Sequence, residues 1–387
     1  MRIPSLSFNQ VQHLPAARIV DLRSPSEFQR DHPPGAWNTP LFDDHQRAIV
    51  GTLWKKSSPE AAYQQGQTFL EKDLGGILSE ILGEERMPAD WQCQFREISS
   101  GLSGGMTSFQ VEEAEEAPTN ALVFMCWRGG MRSQSMVALL CRMGVPNVYL
   151  MRGGYQKYRR FVMAELSQSQ LPALLVLQGP TGVGKTRLLR QVERDEPGTV
   201  LDLEGLAQHR SSVLGAIGLS PVSQPFFETR LWERLRLMGP GPWWVEGESR
   251  KVGDAVIPER LWLAMQQGLF VGLEASLADR IAELGREYLA NPGCQEELLA
   301  QLPFLEKRMG KKWVGQLEAW LLDGAWQKVA EALLVRYYDP RYAHVEITPE
   351  EEHSGRKIPV STFQGEDRKV LQEFRRFRAN VGQQRVE

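Results

Sequence analysis

The chain has 387 residues, and at roughly 150 residues per domain this length predicts two or three domains. Hydrophobic residues make up 42% and charged residues 24% of the sequence, values close to those of soluble globular proteins, which exclude collagen-like, wholly disordered and coiled-coil chains. The net charge of −3 gives no general attraction for nucleic acid, so such a partner would need a local basic patch.

Residues 1–166 predict a first domain of the α/β class. The N-terminal segment lacks the apolar core of a secretory signal, and no apolar run reaches the ~18 residues of a membrane span, so we expect a cytoplasmic protein. Strand candidates are residues 17–21, 121–125 and 147–150, with a helical pattern at 135–140. Alternating strands and helices predict a parallel sheet covered on both faces. We expect residues 84–118 to be a loop-rich excursion whose acidic run at 112–116 is exposed.

A second α/β domain is predicted for residues 172–387, after a short polar linker that ends at Pro172. Its strand candidates are residues 174–177, 199–203 and 243–246. Residues 258–336 predict a helix-rich, amphipathic extension. In the tail, residues 368–378 interleave arginines with apolar residues, which favours a terminal helix docked on the domain over a contact with a nucleic-acid backbone.

A phosphate-binding loop is predicted directly after the strand at 174–177. Residues 179–186 match the pattern GxxxxGK[ST], and a plausible helix follows. The glycines Gly179, Gly182 and Gly184 allow backbone N–H groups to surround phosphate oxygens, and Lys185 adds a positive charge. The motif identifies a phosphate binder, for which a nucleoside triphosphate is the default ligand, although any diphosphate ester would satisfy the same donors.

The same loop predicts a magnesium ion. The hydroxyl of Thr186 is a suitable ligand, and an acidic residue at the end of a neighbouring strand usually completes such a site. Glu246 and Glu248 follow one strand candidate, and Asp202 on the earlier strand is an alternative. We take Thr186 with Glu246 as the candidate pair.

Cys126 lies where a predicted strand gives way to a loop that contains two glycines and the arginines Arg128 and Arg132, followed by a helix. Backbone amides at a helix N-terminus, together with both guanidinium groups, favour the thiolate and form a cradle for an anion. This pattern predicts a nucleophile. The other three cysteines, Cys93, Cys141 and Cys294, form no CxxC pair and are expected to be inert.

Several segments of the first domain together resemble a rhodanese domain, the sulfur-transfer fold. They are residues 21–28, His32, residues 35–38, the loop at Cys126 and residues 150–155. Rhodaneses have four residues between the cysteine and the loop arginine, whereas five separate Cys126 from Arg132 here. The C-x5-R-S spacing also resembles cysteine-dependent phosphatases, whose larger loop accommodates a phosphate-like tetrahedron.

A rhodanese-like domain followed by a P-loop domain resembles the tRNA 2-selenouridine synthase family. Further matching segments are residues 47–55, 153–159, 202–207, 246–250 and 337–340. Two features depart from the family pattern. Ser211 and Ser212 follow His209 and Arg210 where we would expect Gly-Ser, and the excursion at 84–118 is longer than expected.

This resemblance implies that the chain converts 2-thiouridine at the wobble position of certain tRNAs into 2-selenouridine. Two steps are implied, transfer of a geranyl group from geranyl diphosphate to the sulfur and replacement of that sulfur by selenium from selenophosphate. Cys126 would attack or relay selenium, with Arg132 and Arg128 on the phosphate portion. Lys185 and Thr186, with Mg²⁺, would hold the diphosphate.

The implied substrates require an apolar trough for the isoprenyl chain and basic contacts for tRNA. Tryptophans at 232, 243, 244 and 262 are candidates for the trough, although such residues are more often core. Basic pairs occur at 159–160, 250–251, 307–308, 311–312 and 375–376, and solvated surface is the expected role of any single pair.

Two alternatives remain open from the sequence. One is a cysteine-dependent phosphatase fused to a nucleotide-binding regulatory domain, which the C-x5-R spacing favours and the lack of an obvious acidic residue near the loop opposes. The other is a non-enzymatic scaffold, against which Cys126 argues.

Overall fold

The computed structural model describes residues 1–87, 90–102, 109–247, 249–289, 293–342, 357–359 and 367–383. The chain divides into two compact units, Met1–Ala164 and Glu165–Glu387. Each unit is built on a parallel sheet with helices between its strands, which confirms the predicted α/β class. Within the described residues, none of the helices combines the length and the apolar character needed to cross a membrane.

The first unit contains a six-stranded, all-parallel sheet in the order β3-β2-β5-β6-β1-β4. Its strands are β1 (Arg2–Leu6), β2 (Arg18–Asp21), β3 (Trp37–Asn38), β4 (Gln110–Glu113), β5 (Leu122–Met125) and β6 (Val148–Met151). The helices are α1 (Phe8–Val11), α2 (Pro25–Arg30), α3 (Asp44–Lys56), α4 (Pro59–Leu82), α5 (Trp91–Leu102), α6 (Met131–Arg142) and α7 (Gly154–Gln168). A 3-10 turn spans Glu84–Arg86.

The centre of this sheet carries the core and positions the cysteine loop. Val20, Phe124 and Leu150 on neighbouring strands are almost fully buried, and Leu78 of α4 packs in the same cluster. Because β2, β5 and β6 are parallel, their carboxyl ends lie at one edge of the sheet. The loop that follows Met125 therefore starts beside the ends of two other strands.

The prediction that residues 84–118 are loop-rich is partly wrong. Helix α5 and strand β4 lie within that range, while residues 103–108 lie outside the described residues. The acidic run is exposed as expected, because Glu112 and Glu113 lie on an edge strand. Glu112 pairs with Arg2, and Glu113 pairs with Arg152.

The second unit contains a five-stranded parallel sheet in the order β13-β12-β7-β9-β8 and a small antiparallel hairpin, β10-β11. Its strands are β7 (Leu174–Gln178), β8 (Val200–Leu201), β9 (Trp243–Glu246), β10 (Lys251–Val252), β11 (Ala255–Val256), β12 (Leu269–Glu274) and β13 (Lys357–Pro359). The helices are α8 (Lys185–Asp195), α9 (Leu203–Ala207), α10 (Gln224–Leu237), α11 (Glu259–Gln266), α12 (Leu277–Leu289), α13 (Cys294–Met309), α14 (Gln316–Leu322), α15 (Trp326–Leu333), α16 (Asp339–Tyr342) and α17 (Asp367–Gln383). A 3-10 turn spans Lys311–Trp313, and a π-helix spans Leu334–Tyr338.

The predicted strands of this unit are confirmed at β7, β8 and β9, but residues 258–336 are not helical throughout. They include β12, which pairs with β7 in the middle of the sheet. The helices from α12 to α15 enclose a separate core around Leu298, Leu302, Leu317 and Val329, each fully buried. The helix-rich extension is thus a helical cluster attached to a sheet that is two strands wider than predicted, because β12 and β13 both join it.

The terminal helix α17 docks on the second unit, in agreement with the favoured interpretation. The ring of Phe374 stacks on Trp244 with centroids 4.4 Å apart. Arg375 pairs with Asp195 and Arg378 with Glu196, at 2.8 and 2.7 Å. These two arginines are therefore neutralised within the chain.

Three of the four tryptophans named as trough candidates are core residues instead, which is the role the sequence analysis considered more common for them. Trp232, Trp243 and Trp244 are buried in the core. The indole N–H of Trp243 donates to the carbonyl of Gly239 at 2.7 Å, and Trp244 is covered by α17. These residues hold the unit together.

Candidate functional site

Cys126 lies immediately after β5, in a loop that leads to the N-terminus of α6 at Gly130. The residue is 3% exposed, but its sulfur has polar neighbours. Sγ is 3.1 Å from the hydroxyl oxygen of Ser133 and 3.9 Å from the carbonyl oxygen of Gly130. The sulfur is therefore placed in a polar loop rather than enclosed by hydrocarbon, and Ser133 is a site residue that the sequence analysis did not single out.

The backbone around Cys126 offers a set of donors. In the part of the chain that the structure describes, none of the backbone N–H groups of residues 127–132 donates a hydrogen bond. They lie in the loop and first turn of a helix, where the helix dipole also favours negative charge. The arrangement suits a small oxyanion next to the sulfur.

One glycine allows the turn after β6 to support the cysteine loop. The amides of Tyr155 and Gln156 donate to the carbonyls of Cys126 and Trp127, at 2.9 and 3.0 Å. A Cβ at Gly154 would collide with the Cys126 carbonyl oxygen, and Gly154 has a φ of +53°. The Gly-Gly-Tyr motif of the resemblance thus acts as a backbone platform beneath the loop.

The arginines of the loop differ in their environments. Arg132 is half-buried, and its Nη1 is 3.5 Å from Oε2 of Glu27 on α2. The same oxygen is 3.4 Å from Nε of Arg47 on α3. Arg128 is exposed. The fold thus brings a carboxylate near the loop across 105 positions of sequence, although its contacts are to guanidinium groups and do not identify it as a general acid.

A cluster of buried polar side chains lies next to the cysteine loop. Arg23, 1% exposed, pairs with Asp21 at 2.6 Å and donates to the carbonyl of Asp31. Its guanidinium lies 3.9 Å from the centroid of the Tyr155 ring. The Tyr155 hydroxyl donates to Asp31 at 2.8 Å, and burial raises the pKa of Tyr155 well above its ordinary value. Tyr155 therefore stays neutral at physiological pH. Its hydrogen bond to Asp31 holds the turn between β6 and α7 in place beneath the cysteine loop.

The phosphate-binding loop follows β7 as predicted. Gly182 and Gly184 have φ values of +77° and +86°, and a Cβ at Gly182 would lie 2.9 Å from the carbonyl oxygen of Arg280. Across the described ranges, the backbone N–H groups of Gly182, Gly184 and Thr186 donate no hydrogen bond. The Lys185 ammonium donates to the carbonyl of Gly179 at 2.8 Å. Three amides of the loop thus have no acceptor among the described residues, and the lysine is bonded to the first residue of the motif.

The acidic partner of Thr186 is Glu204 rather than the predicted Glu246. The Thr186 hydroxyl donates to Oε2 of Glu204 at 3.0 Å, and the amide of Glu204 donates to Oε2 of Glu246 at 3.0 Å. Glu246 is fully buried, and by accepting this hydrogen bond it positions the backbone of Glu204. Asp202 caps α9 through the Gly205 amide. Glu248 lies outside the described residues.

The oxygens of Thr186 and Glu204 are of the type that Mg²⁺ prefers. The described residues contain no cluster of three or more His, Cys, Asp or Glu side chains placed to hold a metal by themselves. Mg²⁺ usually retains water and binds through one or two protein oxygens plus substrate phosphates, so the pair fits this ion.

Helix α12 contacts the phosphate-binding loop. Arg280, 7% exposed, donates through Nε to the carbonyl of Thr181 at 2.8 Å and pairs with Asp339 at 2.6 Å. Glu283 on the same helix accepts from Nε of Arg187 at 2.9 Å. The predicted helical extension thus fixes the loop through two side chains that sequence reasoning missed.

The similarity of this chain to known proteins identifies its family. Residues 172–379 match the family model described as the tRNA 2-selenouridine synthase AAA domain. This match spans more than half of the chain. The chain belongs to the tRNA 2-selenouridine synthase family.

Curated relatives of the same name cover both units. The tRNA 2-selenouridine synthase of Pseudomonas syringae pv. tomato is 32% identical over 90% of this chain and 92% of that one. The corresponding proteins of Pseudomonas syringae pv. syringae and Marinobacter nauticus are each 30% identical, and the matches cover 91% and 84% of this chain and 93% and 87% of theirs.

One solved structure, the N-terminal domain of a putative ATP/GTP binding protein from Clostridium difficile 630, is 29% identical over 41% of this chain and 98% of that one. Its TM-score of 0.29 is too low for a comparison of folds.

Membership of the tRNA 2-selenouridine synthase family makes the chain an enzyme of tRNA modification. The phosphate-binding loop, Glu204 and Arg280 all lie inside the segment matched by the family model, whereas Cys126 lies before it. The matches to relatives that cover more than four fifths of this chain span both the phosphate-binding loop and the loop of Cys126.

Proposed function

We propose that the chain converts wobble 2-thiouridine of tRNA into 2-selenouridine in two steps, geranylation from geranyl diphosphate followed by selenium transfer from selenophosphate. The observation that carries this proposal is the presence of two separate anion cradles, one around the sulfur of Cys126 and one around Lys185. Two different phosphorus-containing substrates require two such sites. A tRNA substrate also supports the cytoplasmic location expected from the sequence.

In the first step, the phosphate-binding loop holds the diphosphate of the prenyl donor. The bond between the allylic carbon and the diphosphate oxygen breaks, the diphosphate leaves with the electron pair, and the thiocarbonyl sulfur forms the new bond to carbon. The amides of Gly182, Gly184 and Thr186, with the Lys185 ammonium, stabilise the negative charge on the leaving group. Thr186 and Glu204 would hold Mg²⁺, which adds positive charge there.

In the second step, the rhodanese-like unit receives selenophosphate at the loop of Cys126. The amides of residues 127–132 and the guanidinium groups of Arg132 and Arg128 suit its tetrahedral phosphate portion. Cys126 is the nucleophile: its sulfur forms a bond to phosphorus, the phosphorus–selenium bond breaks, and selenide leaves with the electron pair. Water then hydrolyses the phosphocysteine and releases phosphate. Selenium forms the new bond to the base carbon, the bond to the geranylated sulfur breaks, and geranyl thiolate leaves.

The two steps are separable by substitution. Cys126→Ser should abolish selenium incorporation and leave S-geranylation measurable, while Cys141→Ser serves as the matched control. The measurement is mass analysis of wobble nucleosides from tRNA incubated with geranyl diphosphate and selenophosphate. Survival of both activities in Cys126→Ser would show that the cysteine has been assigned wrongly.

The lysine is tested in the same assay. Lys185→Ala should reduce geranylation first, because the diphosphate loses a positive charge at the bond that breaks. Lys328→Ala, an exposed lysine on α15, is the control. Unchanged turnover of geranyl diphosphate by Lys185→Ala refutes the role of the loop in leaving-group stabilisation.

A second candidate function is a cysteine-dependent phosphatase activity. The spacing of Cys126 and Arg132 and the Ser133 hydroxyl beside the sulfur favour it. Sustained hydrolysis of a generic aryl phosphate that requires Cys126 would support this activity. Copurified tRNA would favour the synthase instead.

A further inference from the structure

The end of α13 concentrates positive charge for which the described residues provide no paired carboxylate. Lys307 and Arg308 lie in the last turn of this helix, and Lys311 and Lys312 lie in the 3-10 turn that follows. All four are exposed, and none forms an ion pair with a described residue. By contrast, Arg280 in the same unit is held by a carboxylate.

Aromatic rings lie among these cations. The guanidinium of Arg308 is 4.3 Å from the ring centroid of Phe304, and the Lys312 ammonium is 5.7 Å from that of Trp313. Phe304 is 47% exposed, an unusual position for a phenylalanine in a helix that otherwise buries its apolar face. Positive side chains alternating with an accessible aromatic face are typical of surfaces that bind nucleic-acid backbones and stack single bases.

The neighbouring carboxylate is used inside the protein. Glu306 is 1% exposed and accepts the backbone N–H groups of Gly315, Leu317 and Glu318 at 2.7, 2.6 and 3.1 Å. It therefore caps α14, the helix that follows the turn with the two lysines. Its charge is used there, and it pairs with none of the four cations among the described residues.

A continuous set of contacts joins this surface to the phosphate-binding loop. Nη1 of Arg308 donates to the Tyr337 hydroxyl at 3.4 Å, and the guanidinium of Arg341 lies 3.8 Å from the Tyr337 ring centroid. Two residues after Tyr337, Asp339 pairs with Arg280, which binds the carbonyl of Thr181 in the loop. The surface is thus anchored to the elements that carry the reacting site.

We propose that this α13 surface, formed by Phe304, Lys307, Arg308, Lys311 and Lys312, binds the sugar-phosphate backbone of tRNA and stacks an unpaired base on Phe304. The inference rests on the proposed function, because it takes tRNA as the substrate. Charge complementarity supports RNA as the occupant: in a chain of net charge −3, an uncompensated group of four cations fits a polyanion.

The test compares tRNA binding by three variants of the full chain. Lys311→Ala/Lys312→Ala should weaken binding about tenfold and lower the salt slope of the binding constant by about two, one for each lost phosphate contact. Phe304→Ala should weaken binding about tenfold with the slope unchanged, because stacking releases no counterions. Arg194→Ala/Lys369→Ala, which removes two exposed cations elsewhere in the same unit, should bind as the unaltered chain does.

Binding is measured by fluorescence anisotropy at several salt concentrations, with circular dichroism to verify folding. The effect should be equal for tRNA with and without 2-thiouridine, because phosphate contacts carry no base information. If the unaltered chain binds tRNA and Lys311→Ala/Lys312→Ala binds it equally well, or loses no more than the control pair, the surface is refuted while the proposed function stands. If the unaltered chain neither binds nor modifies tRNA, the proposed function fails and the surface fails with it.

Discussion

The Ser133 hydroxyl is the nearest polar side chain to the Cys126 sulfur among the contacts of this loop, at 3.1 Å. A hydrogen bond to a charged group contributes about 1.5–3 kcal/mol, so Ser133→Ala should slow selenium incorporation roughly tenfold to a hundredfold. Geranylation should be unchanged. Rates of 2-selenouridine formation measure the effect, and Ser135→Ala on the same helix is the control. Equal slowing of both steps would indicate a folding defect instead.

His209 gives the protein a predictable response to acid. Burial lowers the pKa of His209, with Arg210 acting in the same direction and Asp254 opposing it. Because the folded state binds the proton less readily than the unfolded state, stability is full above the ordinary histidine pKa of about 6.5 and falls as the pH drops through it.

The predicted outcome is a loss of thermal stability between about pH 7.5 and pH 5.5 that His209→Gln diminishes. Melting temperatures across that range measure it, and His45→Gln, at an exposed position, is the control. A melting profile that His209→Gln leaves unchanged would rule out this histidine as a source of acid sensitivity.

At the scale of elements, the approach of the β6–α7 turn to the cysteine loop demands a glycine. An added Cβ at Gly154 would meet the Cys126 carbonyl, whereas a Cβ at Gly76 within α4 meets nothing within 4 Å. Gly154→Ala should therefore destabilise the protein by more than about 1 kcal/mol and abolish selenium incorporation, while Gly76→Ala should be neutral or stabilise it by about 0.5–1 kcal/mol. Denaturant unfolding and the nucleoside assay measure both. Similar results for the two variants would contradict the close packing described.

The elements that carry the two loops were predictable because each has a strong local pattern. The strands β5 and β7 are short apolar runs followed directly by glycine-rich motifs. The structure shows β1 and β12 as strands that sequence analysis did not predict. Arg2–Leu6 contains a proline and a serine, and Leu269–Glu274 lies among helices and contains a glycine, so both depend on pairing within the sheet.

The site residues that lie in contiguous motifs could be predicted from the sequence. Those that the fold brings in from distant segments could not. Cys126 and Lys185 lie in contiguous motifs. Glu27, Glu204 and Arg280 reach the loops from other helices, and their sequence neighbourhoods indicate only a capping box, a short helix start and an amphipathic helix. Long-range pairing, such as that between Arg132 and Glu27, cannot be read from spacing.

For the whole molecule, the two proposed anion sites belong to two compact units with separate hydrophobic cores. A ligand present at a hundred times its dissociation constant stabilises the unit that binds it by about 2.7 kcal/mol. Calorimetry should therefore show that inorganic pyrophosphate raises the unfolding transition of the second unit and thiosulfate that of the first. The variants Lys185→Ala and Cys126→Ser should each remove one shift. A single transition that both ligands raise equally would contradict independent sites.

The shared contact of Glu27 with Arg132 and Arg47 has a consequence for anion selection. One carboxylate oxygen lies within 3.5 Å of both guanidinium groups, so an anion that approaches Arg132 must compete with a resident negative charge. Chloride, with a single diffuse charge, competes poorly, whereas a multiply charged oxyanion with several acceptor atoms can engage Arg132 and the loop amides together. If the loop binds selenophosphate as proposed, Glu27 therefore increases its selectivity over monovalent anions.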